Sequence, residues 1–179
     1  DADNLVQFAV MGEVFARNVL NLDNPSVGLL NDGTEDLKGN AAVREAASRL
    51  QSSNLPIRFY GFVEGDDIGK GTVDVVVTDG FTGNIALKTA EGTAKLIGSA
   101  LKDAFTSSLL AKIGALMARP ALARFKVRMD PRRYNGAMFV GLNGICIKSH
   151  GSTDGFGFSN AIRVAHELMV NRFNDGIKS

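Results

Sequence analysis

The chain has 179 residues, of which 45% are apolar and 22% charged, with a formal net charge of +1. Those proportions exclude a disordered or fibrous chain, and the near-neutral balance gives no reason to expect nucleic acid as a partner. Cys146 is the single cysteine, so no disulfide forms within the chain, which fits a reducing compartment. No apolar run reaches the roughly 18 to 20 residues that span a bilayer, and no basic segment leads into an apolar one at the N-terminus. The chain opens at Asp1 without a methionine and runs directly into a helical pattern, which points to part of a longer protein.

Leu5, Phe8, Phe15 and Val19 recur at helical spacing between Asn4 and Leu22 and predict an amphipathic helix. Ser26–Leu30 is an apolar run of strand length, followed by the polar stretch Asn31–Asn40 and a helix pattern over Ala41–Leu50. Beyond Pro56, Ile57–Gly61 and Val73–Val77 are rich in β-branched and aromatic residues and predict two strands, separated by a polar turn holding Gly65, Gly69 and Gly71. The near-continuous hydrophobicity of Val73–Val77 suits a parallel strand covered on both faces. Asp79–Asn84 then leads into a long helix from Ile85 to about Phe105. Ala137–Leu142 and Ile145–Lys148 read as short strands around an Asn143–Gly144 turn, with Cys146 buried in the second. The last element is a helix over Asn160–Arg172, with Ile162, Ala165, His166 and Met169 as its packed face. Strands alternating with helices predict an α/β domain with a mostly parallel, twisted sheet.

Three loops share a feature that carries chemistry. Gly33–Asn40 with Thr34, Gly80–Asn84 with Thr82 and Gly83, and Gly151–Asn160 with Ser152 each combine glycine with a hydroxyl and end in asparagine before a helix. Asparagine caps helices well, so each loop alone is explained by capping. Together, at the carboxyl ends of parallel strands, they would gather free N–H groups and helix dipoles around a phosphate-sized anion. Lys38 and Lys88 add positive charge to that zone. No Walker or dinucleotide fingerprint is present, so nucleotide binding is not supported. The two histidines and one cysteine lie too scattered for a metal site.

The wording of these segments resembles a known family. Val27–Asn31 with Gly33-Thr-Glu and Lys38-Gly-Asn, Gly61 with Val63–Asp66, Asp74–Val77 with Asp79–Asn84, Leu87–Thr89, Ile147–Lys148 with His150–Ser152, and Asn160–Arg163 are similar, in order, to the phosphate acyltransferases of bacterial phospholipid synthesis, the PlsX family. The resemblance implies a Rossmann-like three-layer α/β/α fold, a homodimer, and transfer of a long acyl chain from acyl carrier protein to inorganic phosphate. It implies no cofactor, because phosphate is a substrate, and it implies that this chain is the C-terminal half of a single acyltransferase domain. Carried over by motif, Lys38 and Asn84 are the catalytic pair. Gly33, Thr34, Asn40, Asp79, Gly80, Thr82, Gly83, Lys88, Lys148, His150, Gly151 and Ser152 are the substrate-binding set. Phosphate attacking a thioester builds charge on the carbonyl oxygen, which an ammonium and an amide N–H can offset, and no side-chain nucleophile is needed. Two other readings share the features: a phosphotransacetylase-like enzyme using acyl-coenzyme A, and a noncatalytic lobe for dimerisation or membrane binding.

Residues 104–134 differ in composition, with seven basic residues against Asp130 alone. Leu109, Leu110, Ile113, Leu116 and Met117 form an apolar stripe at helical spacing, and Pro120 is expected to end or bend the helix. Such a segment suits an anionic membrane surface, a dimer interface or an acidic partner. With the resemblance, it is expected to project as a helical hairpin that serves dimerisation and membrane contact, with Arg124, Lys126 and Arg128 open to carrier protein. The resemblance implies a cytoplasmic enzyme held peripherally at the inner face of the cell membrane, with the downstream glycerol-phosphate acyltransferase as a further partner.

Overall fold

Ser26–Leu30 forms the central strand β1, buried along its whole length because a parallel neighbour stands on either side. The computed structural model describes residues 1–178. Strands β2 (Arg58–Val63) and β3 (Val75–Val77) flank β1 in the order β2-β1-β3. Between Val27 and Gly28 the register with β2 slips past Tyr60, which is 58% exposed. Gly61 takes φ 118° there, a value other residues rarely adopt, so the bulge is written into the glycine. Strand β2 therefore runs on to Val63 instead of stopping at Gly61. Strand β3 begins later than expected because Asp74 is diverted to Ser26.

Helix α1 (Ala2–Leu20) serves two cores. Its first half lays Leu5 and Ala9 against Val27 and Leu29 of β1, Phe62 of β2, Val77 of β3, and Ala46, Ala47 and Leu50 of helix α2 (Ala41–Ser52). Its second half puts Val14 among Val164 and Leu168 of helix α6 (Gly155–Val170) and Phe173 of helix α7 (Phe173–Lys178). Phe15 meets Phe173 edge to face at 6.1 Å. The parallel sheet with flanking helices is the expected Rossmann-like α/β architecture.

Several elements depart from the sequence reading. The expected polar turn after β2 is helix α3 (Gly65–Lys70), nucleated by a reciprocal box in which the Glu64 and Asp67 side chains each accept the other's backbone N–H. The antiparallel pair β4 (Ala137–Met138) and β5 (Ile147–Lys148) is shorter than expected, extended only by the Phe139 N–H donating to Cys146 at 2.9 Å. Cys146 is exposed, not buried. On α6 the packed face is Gly157, Ala161, Val164 and Leu168, whereas Ile162, His166 and Met169 face outward. The helix also starts five residues earlier than expected, at Gly155, and its packed face is set by where α1 lies against it.

A helical hairpin is present, but residues 104–134 supply only one of its two long arms, the other being the helix that follows β3. Helix α4 (Gly80–Thr106) packs against helix α5 (Leu109–Arg128), and neither contains a buried residue. Two serines make the turn: Ser107 donates its hydroxyl to Ala104, and Ser108 caps α5 by accepting the Ala111 N–H at 3.1 Å. Pro120 does not end α5; the helix runs through it to Arg128, losing one N–H donor on the way.

Candidate anion site at the β1–β3 crevice

The order β2-β1-β3 means that the chain leaves β1 for a strand on one side and later returns to its other side. In open parallel sheets a crevice forms where connections diverge in this way, outside the carboxyl ends of the strands. Here that point lies between β1 and β3, paired through Val27–Val75, Gly28–Val76 and Leu29–Val77. Residues 31–40 and the start of α4 therefore leave the sheet side by side. An apolar groove of about 430 Å³ lies elsewhere, lined by Phe8, Met11 and Phe15 of α1 with Asp74 and Met138.

The loop after β1 is held by its own polar groups. Asn31 donates its side-chain N–H to the Gly33 carbonyl at 3.0 Å, and Arg44 of α2 donates to the carbonyls of Leu37 and Gly39 at 3.2 and 2.7 Å. Gly39 has φ 85° and lies against the Asn31 amide, where a side chain has neither the conformation nor the room. Asn40 caps α2 by accepting the Val43 N–H at 3.0 Å. Gly33 is buried under the stem of Lys38, and Thr34 is exposed. The Lys38 ammonium is also exposed, and among the described residues it has no carboxylate partner.

After β3, Asp79 takes over the start of α4. Its carboxylate accepts the N–H groups of Phe81 and Thr82, each at 2.9 Å, and the Thr82 hydroxyl at 2.6 Å. Those bonds, the Thr82 hydroxyl foremost, hold the Asp79 carboxyl below its ordinary value. Gly80 opens the helix, and Gly83 passes so close to the Thr78 methyl that a β-carbon would stand 2.7 Å away. Asn84 lies in the next turn, exposed. It shares one helix face with Lys88 and Glu91, which pair at 2.9 Å. Glu91 is held below its ordinary value first by its hydrogen bond from Lys88.

In the third loop Lys148 is exposed at the end of β5, and Gly151 is exposed in the turn that follows. His150 Nδ1 lies 2.9 Å from the Ser152 hydroxyl and accepts the Ser152 backbone N–H at 3.3 Å. Buried Asn135 holds the segment by donating to Ser149 Oγ and to the Gly157 carbonyl, both at 2.8 Å, and by accepting the His150 N–H at 2.9 Å.

The structure corrects the idea of three helices begun by asparagine. Asn40 alone stands at a helix start; Asp79 caps α4 and Asp154 caps α6, leaving Asn84 and Asn160 inside their helices. A carboxylate is the stronger acceptor for orphan N–H groups, and the two aspartates reach them first. Asn160 instead donates to the Arg132 carbonyl at 2.9 Å. With carboxylates at two of the three helix starts, positive charge for an anion falls to Lys38, Lys88 and Lys148. Sequence reasoning missed Asn31, Arg44 and Asn135. Asn31 ends a quoted motif but has no role there, Arg44 lies beyond one, and the Asn135-Gly136 turn signal is overshadowed by Asn143-Gly144.

Among the described residues no group of His, Cys, Asp and Glu is placed to hold a metal ion, and no helix is long and apolar enough to cross a membrane. The model of the family described as fatty acid synthesis protein matches residues 1–175. The chain is 67% identical over 178 residues to a phosphate acyltransferase of Paramagnetospirillum magneticum, covering 99% of this chain and 51% of that protein. Identity is 65% to the phosphate acyltransferase of Rhodospirillum rubrum, with the same coverage, and 64% to that of Rhodospirillum centenum, over 99% of this chain and 50% of that protein. The chain spans about half the length of the curated relatives it matches. It belongs to the fatty acid synthesis protein family, that of the phosphate acyltransferases.

Proposed function

We propose that the whole protein carrying this chain transfers a long acyl group from acyl carrier protein to inorganic phosphate, feeding phospholipid synthesis. The observation that carries this reading is the crevice between β1 and β3, where the Lys38 loop and the Asn84 turn leave adjacent strands. Lys38 binds phosphate by charge. One phosphate oxygen attacks the thioester carbonyl, and the Asn84 side-chain N–H donates to the oxyanion that forms. The carbon–sulfur bond then breaks, the carrier thiolate leaves and takes a proton, and acyl phosphate is released. Phosphate is the nucleophile and no cofactor takes part. Thr34, Lys88, Lys148 and Ser152 line the approach of the anion.

The α4–α5 hairpin supplies attachment. Leu110, Met117 and Leu109 are 83%, 80% and 76% exposed, with Ile113 and Leu116 beside them. Such a cluster is unusual for a surface left in water. It serves homodimerisation and peripheral contact with the inner, anionic face of the membrane. Arg124, Lys126 and Arg128, all exposed, are open to the acidic carrier protein and to lipid headgroups.

Acyl phosphate formation by the full-length protein tests the reading, with acyl carrier protein and coenzyme A thioesters compared. Lys38→Ala and Asn84→Ala are each expected to lower the rate on the order of 100- to 1000-fold, the loss typical of one transition-state donor. Wild-type rates in both variants would remove this site from the reaction. Preference for the coenzyme A thioester would replace the donor.

A further inference from the structure

The two outer edges of the parallel sheet are built differently. Strand β2 carries devices that keep an edge from pairing: the bulge at Gly61, and Arg58 and Tyr60, whose side chains stand exposed along it. Strand β3 carries none of them. It is Val75, Val76 and Val77 in unbroken register with β1, without bulge, proline or charge. The carboxylate at its start, Asp74, is taken up by Ser26 of β1. Among the described residues no strand pairs with the outer side of β3.

That outer side borders the apolar groove of about 430 Å³. Asp74, Val75 and Val76 all line it, although successive side chains of a strand point to opposite faces of the sheet. Three consecutive residues share one groove where it runs along the strand's edge. Met138 of β4 and Val140 just beyond it contribute to the same groove, as do Phe8, Met11 and Leu20 of α1. Gly12 lets α1 come down onto β3, since a β-carbon there would lie 2.7 Å from a Val75 methyl. Around that close approach Phe8, Leu20 and Val140 are left exposed. A helix laid on a parallel sheet covers strands, and α1 reaches over a place where this chain supplies none.

We propose that in the whole protein this groove holds a β-strand from the part of the polypeptide outside these residues, bonded edge to edge with β3 and making β3 an inner strand. Length and chemistry fix the occupant. The chain spans about half the length of the relatives it matches, so a stretch of comparable size is there to be placed against it. The free N–H and C=O groups of β3 call for a backbone partner, and the valines, methionines and Phe8 around the groove call for apolar side chains on that partner. Strand β3 ends at the crevice, so a strand beside it also has one end there. The inference stands on the sheet edge and the relatives' length, independent of the crevice being a phosphate site.

Hydrogen exchange of the full-length protein, resolved to single amides, tests it. Successive N–H groups of a strand point to alternate sides, so with β1 as the sole neighbour at least one of Val75, Val76 and Val77 exchanges freely. All three are expected to exchange as slowly as the amides of β1. Leu20→Lys and Val140→Lys put a charge into the filled groove, and each is expected to lower the thermal midpoint by about 5 °C or more. Tyr60→Lys, on the true edge, is expected to leave the midpoint unchanged. Should a groove variant fail to accumulate, the exchange of the unmodified protein decides alone. Free exchange at any of the three valines overturns the proposal, and so does a Val140→Lys protein as stable as the unmodified one. Protection that appears only at high protein concentration gives the edge to a second copy, and protection that appears only with added acyl phosphate gives the groove to an alkyl chain. Either result overturns the proposal as well.

Discussion

Asp74 holds Ser26 through two hydrogen bonds of 2.7 Å, one from the Ser26 backbone N–H and one from its hydroxyl. The Asp74 N–H returns a bond of 3.0 Å to the Ser26 oxygen. This clasp sits where β1 and β3 begin, so it fixes which residues leave the sheet together at the other end. Ser26 is only 6% exposed. Ser26→Ala removes the hydroxyl from both bonds and is expected to cost about 1–2 kcal/mol, read as a lower denaturant midpoint at unchanged slope. The clasp, with the Ser26 hydroxyl foremost, also holds the Asp74 carboxyl below its ordinary value. A lowered acid gives stability that is present above its unfolded value and lost as the pH falls. The acid limb of the stability curve should therefore move to higher pH in Ser26→Ala. An unmoved limb would show that the clasp does not carry the charge.

Asp130 offers a sharper case of the same linkage. Arg132 bonds it through Nε and a terminal nitrogen and reaches Asp154 at 2.6 Å, and the Asp130 carboxyl is lowered from 3.8 to about 2. The contribution is complete above pH about 4 and disappears as the pH falls towards about 2. In Arg132→Ala the Asp130 carboxyl is expected to titrate near its ordinary value, followed by carbonyl-carbon NMR. A midpoint still near 2 would assign the shift to the backbone N–H of residue 132 and the charge of Arg133.

Gly39 tests the construction of the Lys38 loop. At φ 85° an alanine is disfavoured by about 1–2 kcal/mol, and its methyl meets the Asn31 amide as well. Gly39→Ala is expected to lower stability by at least that amount and to weaken phosphate binding with Lys38 untouched. Gly65, in α3 with open space around it, is the control: Gly65→Ala should be neutral or mildly stabilising. Equal effects in the two variants would contradict the special role of the Gly39 turn.

On the hairpin, Leu110→Asp and Met117→Asp are expected to abolish flotation with anionic vesicles while changing thermal stability by less than about 0.5 kcal/mol, as for exposed positions generally. Undiminished flotation by both variants would end the membrane proposal, and an unchanged dimer in the same proteins would end the dimer proposal for that face.

Much of the architecture was legible in the sequence. Ser26–Leu30 and the helix after Asn40 could be read because apolar runs and a capping asparagine are local signals. The starts of α4 and α6 were misplaced because asparagine and aspartate compete for one role, and only coordinates show which side chain arrives. Helix α3 was hidden behind glycines that suggest a turn, although Glu64 and Asp67 stood at box spacing. The face of α6 was misread because a stripe chosen by hydrophobicity alone does not say where α1 will lie. For the candidate site, the motifs single out Lys38 and Asn84, and the structure places them on the segments that follow β1 and β3. Asn135 was not, because its three bonds join segments 14 and 22 residues apart in sequence.

Helix α4 runs without interruption for 27 residues, from the crevice to the serine turn of the hairpin. At 1.5 Å per residue that is a rod of roughly 40 Å, anchored at one end by Asp79. A tilt of about 5° at the anchored end would sweep the far tip through roughly 3.5 Å, several times the movement near Asn84. Whatever grips the tip thus has leverage on the first turns of the rod, and a rearrangement in the crevice is magnified at the remote end.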